Sequence, residues 1–331
     1  MNTKIIAVIG DSHTWGQGAG AENYMKPGIC GADLRMLSFN FPLYVNLIRQ
    51  AIELKTGSRS VEYDKAALFS LCSKDDGEMG IVGTEGMKLT EAFSFCRIQF
   101  CAESYDTDAE ILLDGKSVQK VHIPCKERYM NQCIQTVPVL CESDGRHVLQ
   151  IRADGCEHIM LYRIECYAGP YAVVNCGVGS CPVGKYQNDF LAQYVGALEP
   201  YAILFEGCTI NNWIANDTPE QYRKELEEMD AAIKKITNRI LWHTDTPIRG
   251  EQSFANRPFV YDDYVYVLRD VAKECGIPLA DCNAQMNELL AQLDEDTGTR
   301  YFFNDVWHPT AFGHYLYAKI ILPSLLEILD L

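Results

Sequence analysis

Nowhere does this chain reach the roughly 20 consecutive apolar residues that a membrane-spanning helix requires. Its apolar runs, such as Ile5 to Ile9, are strand-sized. The start does not read as an export signal either. Lys4 is followed by five apolar residues and then Gly10-Asp11, too short a run for the hydrophobic part of a signal peptide. The expectation is a cytoplasmic protein with no membrane partner. Positive charge is scarce: 29 Lys+Arg against 45 Asp+Glu leave a net charge of −16, and no Lys/Arg cluster offsets it locally. Such a surface repels phosphate backbones, so no nucleic-acid partner is expected. The 14 cysteines contain no C-x-x-C, and the closest pairs, Cys96/Cys101 and Cys176/Cys181, are four residues apart in between. That is not zinc-site spacing. The cysteines are therefore expected to be reduced, buried, small hydrophobes and not a disulfide framework. Asp245, Asp262 and Asp263 lack ligand spacing, and no G-K-[ST] follows the glycines from Gly16 to Gly20, so neither a metal nor a phosphate-bearing cofactor is expected. There is no internal repeat and no low-complexity segment.

What is present is globular in proportion. Of 331 residues, 47% are hydrophobic and 22% charged, which excludes disorder and leaves one large domain or two smaller ones. The pattern changes twice along the chain. Residues 1–60 open with a buried-strand run at Ile5 to Ile9 and continue to an amphipathic helix around Phe41 to Leu54. Residues 169–331 alternate strands with helices. Val173-Val174, Ala202 to Phe205, Ile240 to Trp242 and Ile277 to Ala280 read as strands; Pro219 to Asn238, Tyr261 to Cys275 and Pro309 to Ile328 read as helices. Such alternation implies a parallel sheet wrapped by helices. Residues 61–168 instead carry short strands, among them Phe93 to Cys101, Ala109 to Leu113, Val118 to Ile123, Val148 to Arg152 and Ile159 to Cys166. Turn dipeptides fall at Asp114-Gly115, Asp144-Gly145 and Asp154-Gly155. This is the pattern of an antiparallel β-sandwich, inserted into an α/β domain whose halves flank it. Its sheet face leaves self-association, as a homo-oligomer, open.

Two segments carry chemistry. Gly10-Asp11-Ser12-His13-Thr14-Trp15-Gly16 directly follows the first strand, and ligands in parallel α/β sheets bind beyond the carboxyl ends of the strands. Near the other end, Asp305 and His308 stand three residues apart on a loop before the last helix. One short loop can thus present a general base and the acid that orients it, which is what a serine nucleophile needs. By themselves Ser12 could be a helix cap and His308 a surface residue.

Together the two segments resemble the SGNH, or GDSL-like, hydrolase family. The block G-D-S-x-T-x-G is complete in Gly10 to Gly16, with His13 where many members carry Leu or Ile. The block D-x-x-H-P-x-x-x-G-H is complete in Asp305 to His314. The resemblance implies a flavodoxin-like three-layer α/β/α sandwich, with Ser12 as nucleophile, His308 as base and Asp305 as its orienting acid. It implies an oxyanion hole built from the N–H of Ser12, a backbone N–H in the second block and an Asn in the third. The second block departs from the pattern: in Asn175 to Ser180 the usual glycine position is Ser180, with Gly179 one residue earlier, and Gly177 is as readily a simple turn. In the third, Thr209-Ile210-Asn211-Asn212-Trp213 makes Asn211 the donor, with Asn212 the fallback if the register slips. Asp11 and the aromatics Trp15, Trp213, Phe254 and Trp307, all beside motif residues, are candidates for contact with substrate, though core packing explains any single aromatic as well. The activity implied is that of a serine esterase acting on short acyl groups, O-acetyl first, on a small-molecule or oligosaccharide ester, with activity rising through roughly pH 6–7 as a histidine base loses its proton. A short-chain lipase or thioesterase, and a non-catalytic carbohydrate-binding protein on the same fold, are the alternatives.

Overall fold

The computed structural model describes residues 3–17, 19, 39–63, 67–68, 71, 74–75, 80–101, 105–124, 134–249 and 256–331. The chain divides into two compact units, residues 1–4 with 53–172, and residues 5–52 with 173–331.

The second unit is built on a five-stranded sheet. Its strands are β1 (Lys4–Ile9), β10 (Tyr171–Asn175), β11 (Ala202–Glu206), β12 (Ile240–His243) and β13 (Leu279–Ala280), in the spatial order β10-β1-β11-β12-β13. The pairs β1–β11, β11–β12 and β12–β13 are parallel. Counted along the chain within this sheet, the order is 2-1-3-4-5, that of flavodoxin-like folds. The strands are continuous apolar runs because strands of such a sheet are buried on both faces; Ile6, Val8, Ile203, Leu204 and Leu241 are fully buried. The order reverses between β1 and β11, and the carboxyl ends of these neighbours are where this fold opens a crevice.

Helices α1 (Ser12–Trp15), α2 (Tyr44–Thr56), α5 (Pro219–Lys234), α6 (Tyr261–Glu274) and α9 (Ala311–Ile328) fall where the sequence pattern puts a turn or a helix. The start of α5 falls where expected because Thr218 and Gln221 form a capping box with Pro219 in the first turn, while the helix ends at Lys234, four residues before the expected Asn238. Four short helices escaped the sequence reading: α3 (Val183–Asp189), α4 (Thr209–Ala215), α7 (Cys282–Leu290) and α8 (Glu295–Phe302). At two turns each they are too brief for a 3.6-residue period to stand out.

The first unit is an antiparallel sheet. Its strands are β2 (Arg59–Tyr63), β3 (Lys74–Asp75), β4 (Gly80–Gly83), β5 (Met87–Cys101), β6 (Thr107–Leu113), β7 (Lys116–Ile123), β8 (Ile134–Ala153) and β9 (His158–Ala168). The expected sandwich is seen in part: among the described residues these eight strands belong to one hydrogen-bonded antiparallel sheet, β3-β4-β9-β5-β8-β6-β7 with β2 on β9. Asp114-Gly115 does turn the β6–β7 hairpin, with φ of 51° and 80°, as an Asp-Gly I′ turn requires. Asp144-Gly145 does not reverse the chain: it lies inside the 20-residue β8. There the pairing with β5 jumps from Phe93↔Gly145 to Phe95↔Leu140, so the residues between form a bulge. Among the described cysteines, Cys96, Cys141, Cys166, Cys176, Cys181, Cys208 and Cys282 are buried free thiols. No helix among the described residues is long and apolar enough to cross a membrane.

Candidate active site

The position of Ser12 follows from the end of β1. Gly10 leaves the strand, Asp11 accepts the N–H of His13 at 3.0 Å as the cap of α1, and Ser12 opens that single turn. The turn closes at Gly16, whose φ of 105° favours glycine. Gly10 has no room for a side chain, since an added Cβ would stand 2.2 Å from Thr14 Oγ1 and 2.4 Å from Glu206 Oε2. Gly10→Ala is therefore expected to lower stability by about 3 kcal/mol, the scale of an overpacked core; a urea melt measures it, and an unchanged midpoint would contradict the tight turn.

His308 reaches Ser12 from the loop between α8 and α9. Its Nε2 lies 3.0 Å from Ser12 Oγ, and its Nδ1 lies 2.7 Å from Asp305 Oδ2. A carboxylate only accepts, so Nδ1 carries the hydrogen and Nε2 presents its lone pair to the serine hydroxyl. The other oxygen of Asp305 accepts the N–H groups of His308 and Trp307 at 2.8 and 2.9 Å. The loop is pinned further by Asn304 N–H on His308 O (2.8 Å) and Arg249 N–H on Val306 O (2.7 Å). His308 is 3% exposed. Burial pushes its pKa below the ordinary value; Asp305 pulls it up, the charge of His13 pushes it down again, and the net displacement is downward. Burial alone would raise Asp305, but its bonds to His308 and the loop N–H groups hold it below the usual carboxylate range.

The second and third motif blocks resolve into specific roles. An added Cβ at Gly177 would stand 2.3 Å from the backbone N of Trp15, so this glycine allows the loop after β10 to approach α1. Asn175 closes the same contact, donating from Nδ2 to Thr14 O at 2.8 Å. Ser180 adopts φ of 54°, a left-handed conformation that favours the glycine common at that position. In the third block Asn211 donates from Nδ2 to Asp11 Oδ2 at 2.5 Å, beside Ser12. Asn212 faces elsewhere: its Oδ1 accepts Val183 N–H and its Nδ2 donates to Asp217 and Glu225.

The remaining candidates separate by burial. Asp11 is fully buried, with its oxygens engaged by His13 N–H and Asn211. Trp15 and Trp213 are 1% and 3% exposed. Trp213 donates to Phe259 O and carries the Arg257 guanidinium on its ring. Trp307 stays half-buried with its ring 5.9 Å from that of His308. Phe254 lies outside the described residues.

Two residues that the sequence reading gave no role stand under the nucleophile. Glu206 ends β11 and is fully buried; its Oε2 accepts the N–H of Asp11 (3.2 Å) and of Thr14 (3.0 Å) and the Thr14 hydroxyl. His13, also fully buried, places Nδ1 3.0 Å from Glu206 Oε1. The available signal was a charged residue at the end of an otherwise apolar strand. Atoms of Asp11, His13 and Glu206 lie within 4.8 Å of one another, but the protein's own N–H and O–H donors already occupy their acceptor oxygens, so this donor set does not fit a cation.

No protein-family model matches this chain, and no curated protein does. Solved structures do. A peptidoglycan O-acetylesterase is 13% identical with a TM-score of 0.50, covering 99% of this chain and 92% of its own. A catalytic mutant of an acetylxylan esterase from Geobacillus stearothermophilus is 20% identical over 47% of this chain and 73% of its own, with a TM-score of 0.39. The Bacillus subtilis protein YxiM is 11% identical over 83% and 88%, with a TM-score of 0.43. At these identities the likeness is one of fold. The chain thus resembles SGNH/GDSL-like hydrolases in its two end motifs and shares the fold of the peptidoglycan O-acetylesterase.

Proposed function

We propose that the protein is a serine esterase that removes short acyl groups, O-acetyl first, from a carbohydrate through an acyl-enzyme. The observation that carries this reading is the relay Asp305–His308–Ser12, with contacts of 2.7 and 3.0 Å at the carboxyl end of β1. Ser12 Oγ attacks the ester carbonyl while His308 Nε2 takes its proton, and Asp305 steadies the imidazolium that forms. The developing oxyanion takes N–H donors from Ser12, from Gly179 or Ser180, and from the second hydrogen of the Asn211 amide, the first being held by Asp11. His308 then returns the proton to the leaving alcohol, and water releases the acid by the same steps. Support for O-acetyl comes from the fold neighbour that is a peptidoglycan O-acetylesterase.

The test is turnover of p-nitrophenyl acetate, butyrate and octanoate, followed by acetylated xylo- and gluco-oligosaccharides. The reading expects kcat/KM to fall by about tenfold or more from acetate to octanoate, the order of specificity a small apolar pocket achieves. Preference for octanoate would move the substrate to lipid esters or thioesters.

A further inference from the structure

The triad needs no ionisable residue after the nucleophile, yet His13 is one, and it is fully buried. Its surroundings fix its proton count. Nδ1 faces Glu206 Oε1 at 3.0 Å and Nε2 faces the carbonyl oxygen of Trp307 at 3.1 Å. A carboxylate that already takes three further donors on its second oxygen, and a backbone carbonyl, can only accept. With Glu206 ionised, both nitrogens of His13 donate, which makes the ring an imidazolium.

The carbonyl it holds belongs to the peptide bond that precedes His308. Thr246 Oγ1 donates to the same oxygen at 2.9 Å, and the N–H of that peptide goes to Asp305 at 2.8 Å. The plane that aims the His308 ring is thus held from both edges. The rings of His13 and His308 stand edge to face, with centroids 5.6 Å apart, so a charge on one opposes a charge on the other.

We infer that His13 is a charged positioning residue for the base: paired with Glu206, it clamps the Trp307 carbonyl and opposes a charge on the His308 ring. This rests on the esterase reading for its consequence in catalysis, but not for the charge itself. Burial by itself would lower His13; the bond to Glu206 and the charges of Asp11 and Glu206 outweigh it and raise it to about 10. Burial would raise Glu206, and His13 brings it down to about 2. The other groups facing the ring are Asp11, Asp245 beyond β12, His243 at the end of β12, and His314 and Tyr317 on α9. Burial pushes Asp245 up and His243 and His314 down, each toward its neutral form. Asp11, raised to about 7 by burial and by Glu206, titrates in the working range, 3.9 Å from His13 Nδ1. For that reason His308 must be read directly.

Nitrogen-15 NMR of the histidine rings does so without any substrate. In the native protein His13 is expected to show two protonated nitrogens from pH 5.5 to 8.5, while His308 titrates below the ordinary histidine value. In His13→Gln the charge that opposes His308 is gone, and the His308 midpoint rises by roughly one pH unit, as loss of a unit charge at this range would cause. In His13→Gln/Glu206→Gln both charges are gone, and the midpoint stays above the native one. A role limited to packing would lower kcat without moving that midpoint. A native His13 that titrates near pH 6.5, or a folded His13→Gln protein whose His308 midpoint is unmoved, overturns the inference. If the variant does not fold, the native spectrum decides alone. Absence of ester turnover with these spectra intact would instead fail the esterase reading.

Discussion

Ser12→Ala is expected to lower kcat for p-nitrophenyl acetate by about 10⁵- to 10⁶-fold, as loss of the nucleophile does in a unit that acts together. The magnitude follows from the chemistry. Without Oγ no acyl-enzyme forms, and only the oxyanion donors and binding remain, worth about 10³–10⁴ over water. Folding should be nearly untouched, because Ser12 Oγ contacts His308 while Asp11 and Gly16 supply the caps of α1. Equal melting temperatures with lost turnover would separate chemistry from stability. Substantial residual turnover in the variant would exclude Ser12 as nucleophile.

Asp305→Asn is the second large effect. The amide would offer His308 Nδ1 a donor or a weak acceptor in place of a carboxylate, favouring the tautomer with hydrogen on Nε2, which cannot accept from Ser12. A loss of about 10³- to 10⁴-fold in kcat is expected. The same geometry sets the pH profile. His308 must be neutral to act, so activity is present above its pKa and is lost as pH falls through it. Because burial and the His13 charge push that pKa below 6.5, the acidic limb of kcat/KM should lie below pH 6.5, lower than an unperturbed histidine would give. A limb centred above pH 7 would contradict the buried, repelled base.

The candidate residues Ser12, His308 and Asp305 were legible in the sequence because each is encoded locally: a turn after one strand, and a three-residue spacing on one loop. The parallel sheet and its helices were legible in outline from alternating apolar runs and amphipathic helices. The Glu206–His13 pair was not, since it depends on β1 and β11 being neighbours with Ile9 beside Phe205, a contact across almost 200 residues that no local pattern announces. The choice between Asn211 and Asn212 likewise needed three dimensions. Both belong to α4, and only the direction of each amide, toward Asp11 or toward Glu225, distinguishes them. Asp144-Gly145 misled because a turn dipeptide suits a bulge as well as a hairpin.

The central claim is a covalent intermediate on Ser12. Rapid acid quench of the native protein with p-nitrophenyl acetate, followed by peptide mass spectrometry, measures it directly. The account predicts one acetyl group per chain on the peptide that contains Ser12, absent from Ser12→Ala. Turnover that proceeds with no acylated Ser12 in native protein, or an acetyl group on another residue that persists in the variant, would contradict it.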